Sequence, residues 1–564
     1  MIKHPQPVPP NRPWLKQYSS GIPANLEYPE IPVHEILEQS AAKYADKPAL
    51  SFYGKEISYR ELNELSDRFA NALQHYGIKK GDRILFMLPT CTQFFIAYFG
   101  ALKAGAITIP LNPLYTVKEL EYFFQDAEPR LVITLDVFYE KTKQAAEVTP
   151  QIEKIIVTNL ADYFSPLTRV LGKLLKKVPS GKTGDAEQLK DFIDIEAKYN
   201  KVDINPREDL ALIIYTSGTT GTAKGVMITH FNIVSANINV STWVGPEKKI
   251  NSDSVFLTLV PTFHIYVPGF AAIWPILEGG KNILQPKFHT ADAIKAIVKN
   301  RANVFFGVPA IFSAFLKHFR DNPQASKLVS LQLCSCGSAA LPDYLVKDLK
   351  EFMPNNIMVE AYGATENTGI AVLDPFDRNY QKAFNSVGIP FLSFDVKIVD
   401  PETREEVPYN TKGEFAIAGP QIFKGYWKNP EKTAKCLQDG WYYSNDIVRL
   451  DENGFIYVEG RMDDMINIRG GKAWPREIEK VIEDHPKVKE TAVIGVKDDY
   501  YGEKVKAYIV PHEGHEVKDQ EIKDFCQDKL VKHKIPHEVE FVNELPKSHI
   551  GKTLHYKLRQ KDNA

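Results

Sequence analysis

Short apolar runs alternate with stretches of helical periodicity over most of the chain, and this alternation limits the fold more than any other feature. Each run is too short for a buried helix and is bounded by glycine, proline or polar residues, as buried strands are. Strands that are apolar on both faces and separated by helices are typical of parallel sheets. The sequence therefore predicts an α/β fold. The runs are Ile84–Pro89, Ala106–Asn112, Arg130–Thr134, Lys154–Thr158, Ala211–Tyr215, Val255–Pro261, Val304–Pro309 and Leu331–Gly337.

The pattern changes twice towards the end of the chain. From about Phe394 to Tyr443, short strands and turn residues predict a β-rich subdomain. After Gly460–Asp464 the pattern becomes a compact mixture of helices and strands. Since 564 residues exceed what one hydrophobic core usually supports, we predict a large N-terminal domain over residues 1–459 and a small α+β domain over residues 460–564.

Composition excludes several classes of protein. The net charge of −2 gives no basic footprint for nucleic acid, and the five scattered cysteines indicate a reducing compartment. The start of the chain is proline-rich and lacks the apolar core of a secretory signal. The most apolar stretch, Phe94–Leu111, is interrupted by Lys103 and glycines, so we expect a helix followed by a strand rather than a membrane span. These features predict a cytoplasmic protein.

The stretch YTSGTTGTAKG, Tyr215–Gly225, concentrates serines, threonines and glycines directly after an apolar run. A glycine-rich turn can direct backbone N–H groups and hydroxyls at phosphate oxygens. The spacing excludes the familiar P-loop, because Gly218 and Gly221 are too close together and Lys224 is followed by glycine. Taken alone, the stretch predicts either another kind of phosphate loop or a flexible polar turn.

Further stretches follow in order along the chain: CGSAALP (Cys336–Pro342), VEAYGATE (Val359–Glu366), GWYYSNDI (Gly440–Ile447), GRMDDMINIRGGKAWPREIE (Gly460–Glu479) and LPKSHIGKTLHYKLR (Leu545–Arg559). This ordered series resembles the adenylate-forming superfamily over nearly the whole chain, and most closely its bacterial and archaeal medium- and long-chain fatty acyl-CoA synthetases. The resemblance implies that a carboxylate attacks ATP to give an acyl-adenylate and pyrophosphate, after which CoA displaces AMP. It also implies ATP, Mg²⁺ and CoA as cofactor and co-substrates.

The resemblance assigns a nucleotide site residue by residue. Glu366 and Thr216 would hold Mg²⁺, because a hard cation prefers oxygen ligands. Tyr362 would cover one face of adenine, and Asp446 would accept the ribose hydroxyls. The residues expected at ATP or AMP are Thr216, Ser217, Gly218, Thr219, Thr220, Gly221, Lys224, Gly337, Ser338, Ala339, Glu360, Ala361, Tyr362, Gly363, Thr365, Asp446, Arg461 and Lys552. Those expected to be catalytic are Lys552, Thr365, Glu366, Arg461 and His264.

Two positions depart from the family pattern. Asn445 stands where relatives usually have glycine before the aspartate; since asparagine tolerates positive φ better than most residues, we expect the turn to be kept. Asn467 stands where many relatives carry lysine, so no cationic role is carried over to it.

The resemblance also implies that the C-terminal domain is mobile. Asp463 matches the hinge of the family, and the domain would rotate after adenylation to exchange Lys552 for the loop that guides CoA. The residues expected to bind CoA are Gly470, Gly471 and Lys472.

The acid that is activated is less well defined by the sequence. His264, within Pro261–Gly269, would border the acyl group, although a core histidine is an alternative. Phe306, Gly307 and Val308 are further candidates for the acyl pocket. Burial contributes about 0.8 kcal/mol per methylene, so the depth of the pocket decides chain length. Two alternatives stay open: a ligase for aryl or short hydroxy acids, and an adenylating module that loads a carrier protein. A homodimer is also left open.

The stretch Ser165–Gly181 predicts a basic amphipathic helix. Such a helix suits an anionic lipid surface, which would place the protein at the inner face of the membrane. Alternatively, its apolar face packs on the body of the protein. The apolar residues are Leu167, Val170, Leu171, Leu174, Leu175 and Val178, and the basic residues are Arg169, Lys173, Lys176 and Lys177.

Overall fold

The computed structural model describes residues 12–174, 179–216, 223–245, 250–326, 329–377, 380, 383–468, 471–498, 502–547 and 553–562. Strands are numbered along these ranges as β1 (Pro48–Phe52), β2 (Lys55–Ser58), β3 (Arg83–Met87), β4 (Ile107–Pro110), β5 (Leu131–Leu135), β6 (Lys154–Thr158), β7 (Leu210–Thr216), β8 (Lys224–Thr229), β9 (Val255–Thr258), β10 (Lys281–Leu284), β11 (Val304–Gly307), β12 (Leu333–Cys336), β13 (Ile357–Tyr362), β14 (Val372–Leu373), β15 (Ile389–Pro390), β16 (Asp395–Val399), β17 (Gly413–Ala418), β18 (Gly425–Tyr426), β19 (Leu437–Gln438), β20 (Trp441–Leu450), β21 (Ile456–Arg461), β22 (Ile466–Ile468), β23 (Gly471–Ala473), β24 (Val488–Asp498), β25 (Gly502–Pro511) and β26 (Glu538–Phe541).

The α-helices of the same ranges are α1 (Val33–Tyr44), α2 (Tyr59–His75), α3 (Thr92–Lys103), α4 (Val117–Ala127), α5 (Tyr139–Ala146), α6 (Pro166–Leu174), α7 (Leu189–Phe192), α8 (His230–Val244), α9 (Trp274–Glu278), α10 (Thr290–Asn300), α11 (Pro309–Asp321), α12 (Pro323–Ser326), α13 (Asp343–Phe352), α14 (Pro430–Cys436), α15 (Pro475–Glu483), α16 (Asp519–Gln527) and α17 (His555–Asp562).

Two mostly parallel sheets form the larger part of the molecule, and the predicted α/β fold is confirmed. In the described residues one sheet has the order β18-β8-β7-β4-β3-β5-β6, and the other has the order β15-β14-β13-β12-β11-β9-β10-β1-β2. Every apolar run named from the sequence overlaps a strand of these sheets that has a parallel neighbour. Strands of both sheets belong to one hydrophobic cluster with α3 and α8, so these two helices lie in the shared core.

The stretch Phe94–Leu111 forms α3 followed by β4, as predicted. Every residue of α3 is buried, including Lys103. The Lys103 ammonium lies 2.6 Å from the Asp67 carboxylate and donates to Asn63 and Ser66 of α2, so its charge is compensated inside the core. Over the described ranges, no helix combines the length and the apolarity that a membrane crossing requires.

Two smaller sheets follow. The β-rich region forms an antiparallel sheet ordered β16-β17-β20-β19, with β21 paired to β20. Its strands continue to Arg461, beyond the Tyr443 limit expected from the sequence, because β20 and β21 form one long hairpin. The last sheet has the order β23-β22-β25-β24, with β26 on β25, and shares a separate core with α15 and α16. None of the five cysteines forms a disulfide, in agreement with the sequence analysis.

Candidate active site

The glycine-rich turn is closed at its base by two strands. Thr216 ends β7, Lys224 begins β8, and these two residues pair in the antiparallel register. Tyr215 is fixed next to them, because its hydroxyl donates to Asp126 Oδ2 at 2.5 Å. The turn itself lies outside the described residues, and with it Ser217, Gly218, Thr219, Thr220 and Gly221.

Glu366 lies close to the base of this turn through Tyr426 of β18. The Tyr426 hydroxyl donates to Glu366 Oε1 at 2.8 Å, and Lys224 Nζ lies 5.2 Å from the centroid of the same ring. Burial, and then the Glu366 carboxylate, raise the pKa of Tyr426 far above its usual value, so the phenol stays a neutral donor. Thr365 begins the short 3₁₀ turn that carries Glu366. The structure thus gathers Lys224, Glu366 and Thr365 near one edge of the β8–β18 pair.

Carboxylate groups suited to a protein-only metal site are absent from the described part of the chain, where no cluster of three His, Cys, Asp or Glu side chains occurs. Mg²⁺ is usually held by one or two carboxylates together with substrate phosphates. A single Glu366 near the base of the glycine-rich turn fits that manner of binding. The structure gives no contact between Glu366 and Thr216.

Three polar side chains meet between β13 and the β20–β21 hairpin. The Tyr362 hydroxyl donates to Asp446 Oδ2 at 2.5 Å, and Arg461 Nε lies 3.0 Å from Asp446 Oδ1, although not at a hydrogen-bonding angle. Asp446 and Arg461 are direct partners in the register of the hairpin. Asp446 raises the pKa of Arg461 above its usual value, and burial raises that of Tyr362, so the group holds one carboxylate, one cation and one neutral phenol.

The backbone before Asp446 has the conformation expected from the sequence. Asn445 has φ of +64°, in the left-handed region, and its N–H donates to Glu414 Oε1 at 3.0 Å. The expectation that asparagine keeps this turn is confirmed. Ser338 also has a positive φ of 69°, within the segment Gly337–Ala339 that was expected to face adenine.

The segments after β12 and β13 lie side by side, because these strands are parallel neighbours and Cys336 pairs with Glu360. Glu360 is buried, and its Oε1 accepts from Leu341 N at 3.2 Å, so this carboxylate fixes the neighbouring loop. Gly363 fills a position that only glycine fits: a Cβ there would lie 2.2 Å from Gly369 O. Ala361 packs against the core beside Tyr362.

The C-terminal candidates are only partly described. Lys552 and Gly470 lie outside the described residues, and Gly471 and Lys472 are described only as the backbone of β23. Asp463 lies in a 3₁₀ turn directly after β21. Asp464 beside it forms an ion pair with Arg559 of α17 at 2.5 Å.

His264 lies at the start of an aromatic region behind the Glu366 loop. Its Nδ1 accepts from Tyr266 N at 3.3 Å, and burial lowers the pKa of His264 to about 4. The imidazole is therefore neutral at neutral pH, and a role as a cation towards a carboxylate is not supported.

A small, mostly apolar cavity lies next to Tyr266, between β9, β11 and the segment that leads into α9. Its lining residues are Phe256, Leu257, Thr258, Tyr266, Phe270, Ala271, Trp274, Pro275, Val304 and Phe306. Of the three pocket residues named from the sequence, Phe306 lines it. Gly307 and Val308 do not: a Cβ on Gly307 would meet the Phe305 ring, and Val308 packs on the opposite face of the sheet. Tyr266 and Trp274 were missed, because no local pattern distinguishes them from core aromatics.

Comparisons with known proteins give a consistent result. The AMP-binding enzyme family model matches residues 37–427, and the model of the C-terminal domain of AMP-binding enzymes matches residues 477–552. A protein of Bacillus subtilis (strain 168) named long-chain-fatty-acid–CoA ligase is 36% identical over 98% of both chains. The crystal structure of ATP-bound MatB from Rhodopseudomonas palustris superposes with a TM-score of 0.82 at 28% identity and covers 94% of this chain and 99% of that one. The anthranilate CoA ligase AuaEII in complex with anthranoyl-AMP gives 0.80 at 26%, with 95% and 98% covered.

Proposed function

Because this chain belongs to the AMP-binding enzyme family, we propose that it is an acid–thiol ligase that activates a medium- or long-chain fatty acid with ATP and transfers the acyl group to CoA. The observation that carries the proposal is the polar group Tyr362–Asp446–Arg461, whose Arg461 is also stabilised by the charge of Glu366, together with an apolar cavity lined by aromatic side chains. The polar group suits a nucleoside. The apolar lining of the cavity suits a hydrocarbon chain, which would have to widen the cavity on binding, because the cavity volume of about 10 Å³ admits only about one water molecule.

In the first half-reaction, a carboxylate oxygen forms a bond to the α-phosphorus of ATP. The bond from this phosphorus to the bridging oxygen of the β-phosphate breaks, and pyrophosphate leaves with the electron pair. Two anions must approach each other, so positioning and charge neutralisation supply most of the catalysis. Lys224 and Lys552 would supply positive charge there. Mg²⁺, when bound by Glu366 and the phosphates, supplies further neutralisation.

The nucleoside would be held by Asp446. An ionised carboxylate offers about four lone-pair sites. Asp446 uses one of them to accept from Tyr362, and Arg461 lies 3.0 Å from its other oxygen as an ion-pair partner, without a hydrogen bond from Nε. The remaining sites would be available to the ribose hydroxyls. Arg461 stays charged in this environment and would contact the ribose or a phosphate of the bound nucleotide.

In the second half-reaction, the CoA sulfur attacks the acyl carbon, the bond from that carbon to the AMP oxygen breaks, and the thiol proton is released. We propose two domains, residues 1–459 and 460–564, that change their relative orientation about Asp463 so that Gly470, Gly471 and Lys472 approach the site. Contacts between the two parts would then have to break. They include the Lys412–Glu477 ion pair at 2.8 Å and the Lys480 Nζ contact with Val458 O at 3.5 Å.

The fatty acid is proposed from the aromatic lining of the cavity and from the name of the Bacillus subtilis relative. A specific observation favours an aryl acid as the second candidate: Trp274 and Phe306 stack with centroids 5.4 Å apart, and a planar ring could extend this stack. The similarity to an anthranilate CoA ligase supports the same candidate. A third candidate, loading of a carrier protein, would need acyl transfer to a protein-bound thiol instead of free CoA.

A panel of acids from acetate to palmitate, with benzoate added, tests the proposal. Pyrophosphate release and CoA-thioester formation are measured for each acid. The expected result is the highest kcat/KM for an acid of medium or long chain, with AMP released only when CoA is present. Highest activity with benzoate would replace the fatty acid by an aryl acid, and AMP release without any CoA thioester would contradict the proposed ligase.

Peripheral attachment to an anionic membrane is part of the proposal. Leu167 and Val170 of α6 are 71% and 64% exposed, so at least these two apolar residues do not pack on the protein's own body. The predicted residues Leu175, Lys176, Lys177 and Val178 lie outside the described part of the chain. Replacing Leu167 and Val170 by Gln should reduce sedimentation with anionic vesicles. The control Val148→Gln, at another exposed apolar residue just after α5, should not. Unchanged sedimentation of the double variant would contradict attachment through α6.

A cytoplasmic location and a homodimer are also proposed, and light scattering of the purified protein tests the second.

A further inference from the structure

The segment that follows His264 is a π-helix, Val267–Ala271. Ala272 N donates to Val267 O at 2.8 Å, five residues earlier, which is the hydrogen bond that defines this helix type. π-helical turns are rare and are frequently found at functional sites. A buried turn of this kind is kept only if its carbonyl groups find hydrogen-bond partners, inside or outside the helix.

Three side chains from different elements provide such partners. Tyr98 of α3 donates its hydroxyl to Pro268 O at 2.8 Å, and Asn237 of α8 donates Nδ2 to Gly269 O at 2.7 Å. Asn282 of β10 donates Nδ2 to Ala271 O at 2.8 Å. We call Tyr98, Asn237 and Asn282 the π-helix donors.

The π-helix donors are all fully buried and are themselves held in place. Asn282 Oδ1 accepts from Thr258 Oγ1 at 2.8 Å, and Asn237 Nδ2 also donates to Ile233 O at 2.8 Å. The ring of Tyr98 stacks on Phe94 with centroids 5.6 Å apart. Of the four carbonyl groups of Pro268–Ala271, three accept hydrogen bonds from the π-helix donors. The backbone path of the π-helix is therefore held by side chains of other elements rather than by its own sequence.

The π-helix forms one side of the apolar cavity. Phe270 and Ala271 line the cavity from within the π-helix, and Tyr266 lines it from the preceding residue. The same Phe270 ring faces the nucleotide side, because a Cβ on Gly369 would lie 2.6 Å from Phe270 Cε2. Gly369 N donates to Ala364 O, next to Glu366. A shift of the π-helix would therefore change the shape of the cavity through Tyr266, Phe270 and Ala271.

We propose that Tyr98, Asn237 and Asn282 are positioning residues that determine which acyl chains the enzyme accepts, by fixing the cavity side formed by Val267–Ala271. This inference rests on the proposed ligase function. None of the three side chains lines the cavity, so they act through the π-helix. Loss of one donor leaves a buried carbonyl unpaired, and the turn relaxes towards another course that moves Phe270 and Tyr266.

The test compares Tyr98→Phe and Asn237→Ala with the wild-type enzyme and with Asn239→Ala. Asn239 is the matched control: it lies on the same helix, is equally buried, and donates to Leu392 O at 2.8 Å, away from the π-helix. The kcat/KM of each enzyme is measured for saturated acids from hexanoate to palmitate, together with the KM for ATP and the urea midpoint of unfolding.

For each enzyme, the kcat/KM for the shortest accepted acid is divided by that for the longest. In Tyr98→Phe and Asn237→Ala we expect this ratio to change by about tenfold, as it would if contact with roughly two methylene groups were altered. The KM for ATP stays within about twofold of wild type, and Asn239→Ala keeps the wild-type ratio even if its urea midpoint falls. An unchanged ratio in both test variants, or the same change in the control, would overturn the inference while leaving the ligase function intact. A wild-type enzyme that forms no fatty acyl-CoA would remove the proposed substrate class and this inference with it.

Discussion

Two regions of the proposed site differ in how they are built: the nucleotide side, formed by Tyr362, Glu366, Asp446 and Arg461, and the cavity wall, formed by the residues that line the apolar cavity. On the nucleotide side, the working groups are polar, follow the ends of strands, and need unusual backbone: Asn445 and Ser338 have positive φ, and Gly363 admits no side chain. The cavity wall is apolar and takes its shape from buried residues on distant elements, such as Tyr98 and Asn237. Under the proposed function, the chemistry would therefore depend on short local segments, whereas the choice of acid would depend on tertiary packing.

The largest effect is expected at Lys552, which the account assigns to the nucleotide side. Removal of one preorganised charge-stabilising donor typically costs about 3–4 kcal/mol, on the order of 10²–10³ in rate. Lys552→Ala should therefore lose adenylation for every acid, measured as pyrophosphate release, and still convert supplied acyl-AMP and CoA to thioester. Lys557→Ala, an exposed lysine on α17, is the control. Equal loss of both half-reactions would show that Lys552 does not act in adenylation alone.

A substitution of Gly363 tests whether the nucleotide side requires the backbone path seen at this residue. Because a Cβ at this position would lie 2.2 Å from Gly369 O, Gly363→Ala must displace the segment that carries Glu366. A displacement of about 1 Å costs on the order of 10²-fold in rate. Gly337→Ala provides a graded comparison, since its Cβ would lie 3.1 Å from Ala361 O and needs only a small adjustment. Equal adenylation rates for the two variants would argue against a strict backbone requirement at Gly363.

A substitution of Phe306 tests whether the cavity wall selects the acid. Phe306→Leu shortens a side chain that lines the cavity, so the preference among acids should change by about four- to tenfold, as for one or two methylene groups. Phe305→Leu is a matched control, because Phe305 is the preceding residue of β11 and packs on the opposite face, in the cluster with Phe312. Both variants should lose stability, and only Phe306→Leu should alter the ratio of kcat/KM values between acids. A changed ratio in Phe305→Leu would remove the distinction between the two faces of the strand.

The smallest effect at neutral pH concerns two histidines in the packed core. Burial lowers the pKa of His34 and of His230 to about 3. The unfolded chain therefore binds more protons below pH 6.5, so the stabilisation is complete above that pH and declines as the pH falls towards 3. Each histidine should contribute a slope of about 1.4 kcal/mol per pH unit in the free energy of unfolding. His34→Gln should reduce the slope measured by urea unfolding, whereas His289→Gln, at an exposed site, should not.

The two regions also differ in how far the sequence predicts them. The parallel strands were predictable because each is a continuous apolar run, and Asp446, Glu366 and Tyr362 were predictable because they lie within ordered local stretches. Tyr266, Trp274 and the π-helix donors could not be found in this way. Their proposed roles arise from contacts between different elements of the fold, such as Tyr98 of α3 with Pro268 and Asn237 of α8 with Gly269, and nothing in the local sequence marks them.

The central claim is that the nucleotide side sets the rate for every acid and the cavity wall selects the acid. Its most direct test is the kcat/KM profile over saturated acids from acetate to palmitate for Glu366→Gln and Phe306→Leu, measured side by side at saturating and limiting Mg²⁺. We expect Glu366→Gln to lower all values by one common factor and to raise the Mg²⁺ requirement. Phe306→Leu should reorder the acids at an unchanged Mg²⁺ requirement. A profile in which Glu366→Gln reorders the acids, or in which Phe306→Leu lowers them all equally, would contradict the account.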